Sequence, residues 1–196
     1  MDVMVADDRS SHTTGTMASI RSNDSDLIDQ VAGLLVDSFR ELSPTWVPTH
    51  EIARNKVLDC LEPEMLSRVM IVDDRVVGFV GARCDYSSGA AWELHPIVVA
   101  ESERSRGIGR ALVQDIERLV AERGALTMQL GTSDEVGLTS LSDVDLFADP
   151  LAALQTVTWR RPHPLGFWLA IGYSIVGVIP DAEGAGKPSI LLAKRL

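Results

Sequence analysis

The chain reads as a single α/β (α+β) domain, a mixed sheet flanked by helices, and three observations predict it. Segments of helical period alternate with apolar runs of strand length, without an internal repeat. A glycine-bearing loop, Arg104 to Gly109, lies between an apolar run and an amphipathic stretch. The composition, 45% hydrophobic and 23% charged over 196 residues, is that of an ordinary folded domain long enough to bury a sizeable core.

Each element follows from local pattern. Residues 1–16 are rich in Asp, Ser and Thr without periodicity, so they are expected to form a disordered tail before one domain spanning 17–196. A short strand is expected over 18–21. Asn23, Asp24 and Ser25 offer caps to a helix whose apolar face is Leu27, Ile28, Val31, Leu34, Leu35 and Phe39. Pro44 and Pro48 interrupt the pattern, and Thr49 caps a second helix carrying Ile52, Val57, Leu58 and Leu61. Runs 69–72 and 76–82 around Asp73-Asp74-Arg75 make a hairpin. A strand over 91–99 follows. Pro96 within it lacks an N–H, so a bulge or splay of the sheet is expected there. The next helix presents Leu112, Val113, Ile116, Leu119 and Val120 and stops at Gly124. A strand over 126–130, a long acidic stretch with a helical turn near 151–157, a helix from Pro164 to Gly172, and strands over 174–179 and 189–193 complete the chain.

Charge narrows the function. With 28 Asp+Glu against 18 Lys+Arg the net charge is −10, which repels phosphate backbones and anionic lipid surfaces. Nucleic acid and membrane are therefore not expected partners, and a cationic small molecule is. The start has acids where a secretory signal has a basic then an apolar region, and no run approaches the roughly 18 apolar residues of a membrane span. A cytoplasmic location is expected. Cys60 and Cys84 lack CxxC or Cys/His spacing, so they read as buried thiols, with no metal site.

Arg104, Ser105, Arg106, Gly107, Ile108, Gly109 and Arg110 open the third helix. Free N–H groups at a helix N-terminus, glycine at a turn, and three arginines suit a pyrophosphate; a plain glycine turn capping the helix is the alternative. A dinucleotide fingerprint fails because Leu112 holds the third glycine position, and no GK[S/T] follows for a P-loop.

Arg-x-x-Gly-x-Gly after a strand resembles the acyl-CoA loop of the GNAT acetyltransferase superfamily. WELHPIVV (residues 92–99), LGTSDE, TSLSDVDLF and HPLGFWLAIGYSIVGVIPDAEGAGKPSILLAKRL, in that order, resemble stretches of aminoglycoside 6′-N-acetyltransferases. The resemblance covers residues 18–196. It implies an acyl-CoA N-acyltransferase fold, acetyl-CoA as co-substrate without a metal, an aminoglycoside acceptor acetylated at its 6′ amine, antibiotic resistance, and a homodimer. Acetyltransferases for a polyamine or a peptide N-terminus, or an acyl-CoA-binding sensor without turnover, are the rival readings.

Acetyl transfer needs a neutral amine, although amines of pKa about 8 to 10 arrive as ammonium ions. A carboxylate must hold and deprotonate them. Strand alternation sets Trp92 and Leu94 on one face and Glu93, His95 and Ile97 on the other. The resemblance makes Glu93 the acceptor ligand and base; His95 either relays the proton or is a hydrogen-bonded structural histidine. The resemblance also lets Ile97, Val98 and Val99 pair with the pantetheine arm, the N–H of Ile97 or Val98 polarising the thioester carbonyl. Asp134, Glu135, Asp143, Asp145 and Asp149 lie in a stretch without Lys or Arg. This is either a solvated loop or a set of ligands for ammonium groups, with Asp134 and Glu135 best placed. Trp46 and Phe39 either stack on sugar rings or pack in the core. One departure stands out: Trp168 occupies the position where the resemblance leads one to expect a tyrosine acid for the thiolate. An indole N–H donates a hydrogen bond but is no practical acid, which leaves the proton donor open: water can serve, and Tyr173 either packs in the following strand or substitutes.

Overall fold

The computed structural model describes residues 15–84 and 86–196. Its elements are β1 (Thr16–Ser19), α1 (Ser25–Phe39), α2 (His50–Asp59), β2 (Met65–Val72), β3 (Arg75–Arg83), β4 (Ala91–Val99), α3 (Ile108–Ala121), β5 (Thr127–Ser133), α4 (Pro150–Gln155), α5 (Leu165–Ala170), β6 (Ser174–Ile179) and β7 (Ser189–Arg195). Apart from Gly15 and Thr16, the expected tail lies outside the described residues. The first strand starts two residues before the expected 18, because pairing of Thr16 to Ser19 with Ile71 to Arg68 sets its ends. Among the described residues no helix is long and apolar enough to cross a membrane.

The seven strands form one sheet in the order β1-β2-β3-β4-β5-β7-β6, in which β4 and β5 alone run parallel. Helices cover both faces. On one, α1 buries Ile28, Val31, Ala32 and Leu35, a helical stripe, together with Ala53 and Val57 of α2 and Val69, Phe79 and Val98 of the sheet. Thr49 caps α2 by accepting from the Ile52 N–H at 3.3 Å. On the other face, Leu112, Val113, Ile116 and Val120 of α3 pack with Val80, Ala82, Trp92, Leu94, Met128 and Leu130. The β2–β3 turn places Asp73 and Asp74 at φ of 48° and 60°, a left-handed pair that matches the twist of a tight hairpin.

β4 departs from regularity where Pro96 predicts it. Ala82 pairs with Leu94 but Val80 pairs with Ile97, so His95 and Pro96 together oppose Gly81, a bulge. A Cβ on Gly81 would stand 2.7 Å from the His95 carbonyl oxygen, so only glycine admits this approach. Pairing of β4 with β5 ends at Glu93 opposite Gln129, whereas β5 continues beside β7 to Ser133. The sheet thus opens beyond Glu93. The extra residue also reverses the side-chain alternation, which corrects one expectation: Ile97 does not share the face of Glu93. It packs, with Val99, against the α3-side core that holds Trp92 and Leu94, while Val98 turns to the α1/α2 side.

Candidate active site

Glu93 lies at the point where β4 and β5 part. Its side chain is 20% exposed, and its cross-strand partner is Arg83, the last residue of β3. The Arg83 Nε donates to Glu93 Oε2 at 2.6 Å, and Nη2 reaches the same oxygen at 2.5 Å. Two positions on, the His95 ring meets Trp46 edge to face, with centroids 5.3 Å apart. Behind it the buried Cys60 thiol lies 4.0 Å from the His95 carbonyl, and burial first, then the Asp59 charge, pushes that thiol up to about 12. It is an inert wall.

Trp46 comes from the α1–α2 connection. Its other neighbours are Phe39 at 4.5 Å, again edge to face, and the Lys56 ammonium 4.9 Å over the ring. The adjacent Thr45 hydroxyl donates to Glu135 Oε2 at 3.3 Å, a contact across 90 residues that ties this connection to the loop after β5. The structure therefore brings Glu93, His95, Trp46 and Glu135 into one linked neighbourhood.

Asp134 is placed differently from the expectation. It is 1% exposed, and its carboxylate turns into its own loop: Oδ1 accepts from the Leu138 N–H at 2.7 Å, and Oδ2 from the Thr139 N–H at 2.7 Å and the Ser142 hydroxyl. Burial would raise its pKa, but these hydrogen bonds outweigh burial and hold the carboxyl below its ordinary value. Two other acids also bond the chain itself, and a third stands in a tight turn. Asp149 caps α4 through the Ala152 N–H, Asp145 accepts from the Phe147 N–H, and Asp143 sits in a left-handed turn against Gly186. Glu135 is the member of the set that reaches out of the loop.

The glycine loop expected from the sequence opens α3. Gly107, at φ 86°, caps α3, and the first intrahelical bond runs from Ala111 N–H to Gly107 O. The amides of Ile108, Gly109 and Arg110 precede that bond and lack helical acceptors. Ile108 buries its side chain, so its contribution there is its N–H. Ser105 takes φ 63°, and Arg104, Arg106 and Arg110 are exposed; Arg106 leans on Glu103 at 2.8 Å and Arg104 on the Val99 carbonyl at 3.2 Å. These residues fit an anionic, pyrophosphate-bearing group.

On the α3 side, Trp168 is 4% exposed and stacks edgewise between Phe167 and Tyr173. The Tyr173 hydroxyl donates to Glu117 Oε1 at 2.9 Å, while Lys194 holds Oε2 at 2.7 Å. Burial, then the Glu117 charge, drives the phenol far above its ordinary value. His163, buried at the start of α5, accepts the Leu165 N–H on Nδ1; burial lowers its pKa against the pull of Asp134.

Sequence reasoning missed Arg83, Thr45 and Lys56. Arg83 becomes legible once β3 and β4 are paired from their connecting turn, which sets it opposite Glu93; Thr45 and Lys56 depend on tertiary contacts and leave no local signal.

Residues 29–142 match the model of the acetyltransferase (GNAT) family. The chain belongs to this family. It is therefore an acetyltransferase, and the opened sheet with its glycine loop is the GNAT fold. Among solved structures, an aminoglycoside 6′-N-acetyltransferase complexed with coenzyme A is 34% identical, covers 92% of this chain and 96% of its own, and superposes with a TM-score of 0.83. The aminoglycoside 6′-N-acetyltransferase from Enterococcus faecium is 35% identical over the same shares, with a TM-score of 0.80. An aminoglycoside 6′-acetyltransferase type Ii is 32% identical, with a TM-score of 0.69. Among curated proteins, none matches.

Proposed function

We propose that this GNAT acetyltransferase moves the acetyl group of acetyl-CoA to the 6′ amine of an aminoglycoside and so confers resistance. One observation carries the reading: His95, two positions after Glu93 on the opened strand, packs on Trp46, whose neighbour Thr45 bonds Glu135, in a chain about one-third identical to aminoglycoside 6′-N-acetyltransferases. In this reading the amides opening α3, with Arg104, Arg106 and Arg110, hold the pyrophosphate. The Ile97 or Val98 N–H donates to the thioester oxygen, a contact worth on the order of 3 kcal/mol in the transition state. Glu93 binds the acceptor ammonium and takes its proton, directly or through His95; the amine nitrogen then bonds the acetyl carbon as the carbon–sulfur bond breaks. Water protonates the thiolate, whose pKa of about 8.5 demands little help; Tyr173 is committed to Glu117 and Trp168 has no acidic proton to give. Glu135 and Trp46 take a second ammonium and a sugar face.

The same reading places the enzyme in the cytoplasm as a homodimer. β6 ends the sheet with Val176 and Ile179 exposed, a surface that a second copy would cover.

Thiol release from acetyl-CoA tests the function against kanamycin-type and gentamicin-type drugs, polyamines and peptide amines. Turnover with the drugs is expected, and turnover with peptides alone overturns the reading. Glu93→Gln is expected to lower kcat/KM by roughly 10²-fold; unchanged turnover removes Glu93 from the mechanism.

A further inference from the structure

Arg83 puts a permanent positive charge on the carboxylate that the acceptor needs. Residues Val76 to Ala82 of β3 are buried, and Arg83 is the exposed residue that ends the strand. It stands in register with Glu93, and two of its nitrogens converge on Glu93 Oε2. The two side chains differ in freedom, since 48% of Arg83 is exposed against 20% of Glu93. The half-exposed guanidinium is the member of the pair that water screens, whereas the carboxylate stays on a strand fixed by the Gly81 bulge.

We propose that Arg83 is the internal counter-cation of Glu93, a positioning residue that aims the carboxylate in the empty site and yields it to the incoming ammonium. The proposal rests on Glu93 being the acceptor's ligand. It has a consequence for substrate class. An amine with one charge exchanges one cation for another at Glu93 and gains little. A polycation repeats that exchange and adds a second ammonium at Glu135, which Thr45 holds within the same neighbourhood. Arg83 thereby lowers the affinity that any amine gains at Glu93 alone, and the second contact at Glu135 is what a polycation adds and a monoamine lacks.

Steady-state kinetics of Arg83→Gln and Arg83→Lys with a kanamycin-type drug and with glucosamine as monoamine test this. Arg83→Gln is expected to lower KM for the drug about fivefold, the scale of a half-exposed ion pair. It is expected to lower KM for glucosamine by the same factor, because the displaced charge is the same, and to leave kcat within about a factor of two, because Arg83 has already left the carboxylate in the complex. Arg83→Lys restores the wild-type KM. In a Glu93→Gln background, Arg83→Gln changes KM for neither amine. A thermal midpoint within about 2 °C of wild type is expected for both variants, since the pair is half exposed. Loss of turnover in Glu93→Gln combined with an unchanged or raised KM in Arg83→Gln overturns this proposal alone; full turnover in Glu93→Gln overturns the reading beneath it.

Discussion

Replacing Asp134 by asparagine keeps the side chain's shape while removing its charge and one of its two accepting oxygens. The native carboxylate satisfies three donors, the Leu138 and Thr139 amides at 2.7 Å each and the Ser142 hydroxyl. With its oxygen at the Oδ2 position, the new amide points an NH2 at the Leu138 N–H. Turned over, it faces Thr139 and Ser142 instead. One buried donor at least is left unpaired and confronts another donor, at about 1–3 kcal/mol, and the remaining bonds lose their charge assistance. The expected loss is about 3 kcal/mol, which for a chain of this length lowers Tm by roughly 6–12 °C. The sign with pH follows from the depressed pKa. The folded state binds the Asp134 proton less readily than the unfolded state, so the stabilisation is complete above the unfolded value of about 4 and is lost as pH falls through the lower folded value. The stability gap between wild type and Asp134→Asn should therefore narrow below about pH 4. Calorimetry from pH 3 to pH 7, with hydrogen exchange across residues 134–142, measures it. An unchanged Tm with native exchange of the Leu138 and Thr139 amides, alongside a raised acceptor KM, would refute the argument and return Asp134 to the role of direct ligand.

Gly81→Ala should cost about 1–3 kcal/mol and reduce kcat, because the new Cβ displaces the His95 carbonyl and with it the bulge that aims Glu93; thermal scanning and thiol release at saturating acceptor check it, and native values in both would show that β4 yields freely. Tyr173→Phe should lower stability by about 1–3 kcal/mol, since Glu117 loses a buried hydrogen bond, yet leave kcat within a factor of two. A tenfold fall in kcat without loss of stability would make the phenol the thiolate's acid.

Much of the fold was legible because its signals are local. The stripe Ile28, Val31, Leu35 and the cap at Thr49 announced α1 and α2, the Asp73-Asp74 turn announced the hairpin, and the missing N–H of Pro96 announced the opening of β4. The error at Ile97 has the same source as the success at Pro96. A bulge was expected, but its one-residue change of phase was not carried down the strand, so alternation assigned the wrong face. The WELHP strand and the glycine loop were visible as motifs. Arg83 was not, because nothing local says that residue 83 opposes residue 93 until β3 and β4 pair. The Thr45–Glu135 contact joins segments 90 residues apart and lies beyond any pattern along the chain.

The acidic stretch shows why a count of charges is a weak guide to their use. Five carboxylates without a neighbouring base looked like a general attractant for a polycation. Three of them bond the loop's own backbone, Asp134 and Asp145 through amides and Asp149 as a helix cap, while Asp143 stands exposed in a left-handed turn. A carboxylate saturated by donors within its own loop is a poor partner for an ammonium ion, because binding would strip the donors that keep the loop in shape. In the proposed reading the stretch contributes Glu135, which Thr45 ties to the α1–α2 connection. With Glu93 partly neutralised by Arg83, affinity for an acceptor would then depend on engaging both carboxylates at once. That arrangement selects for the spacing of charges on the acceptor as well as their number.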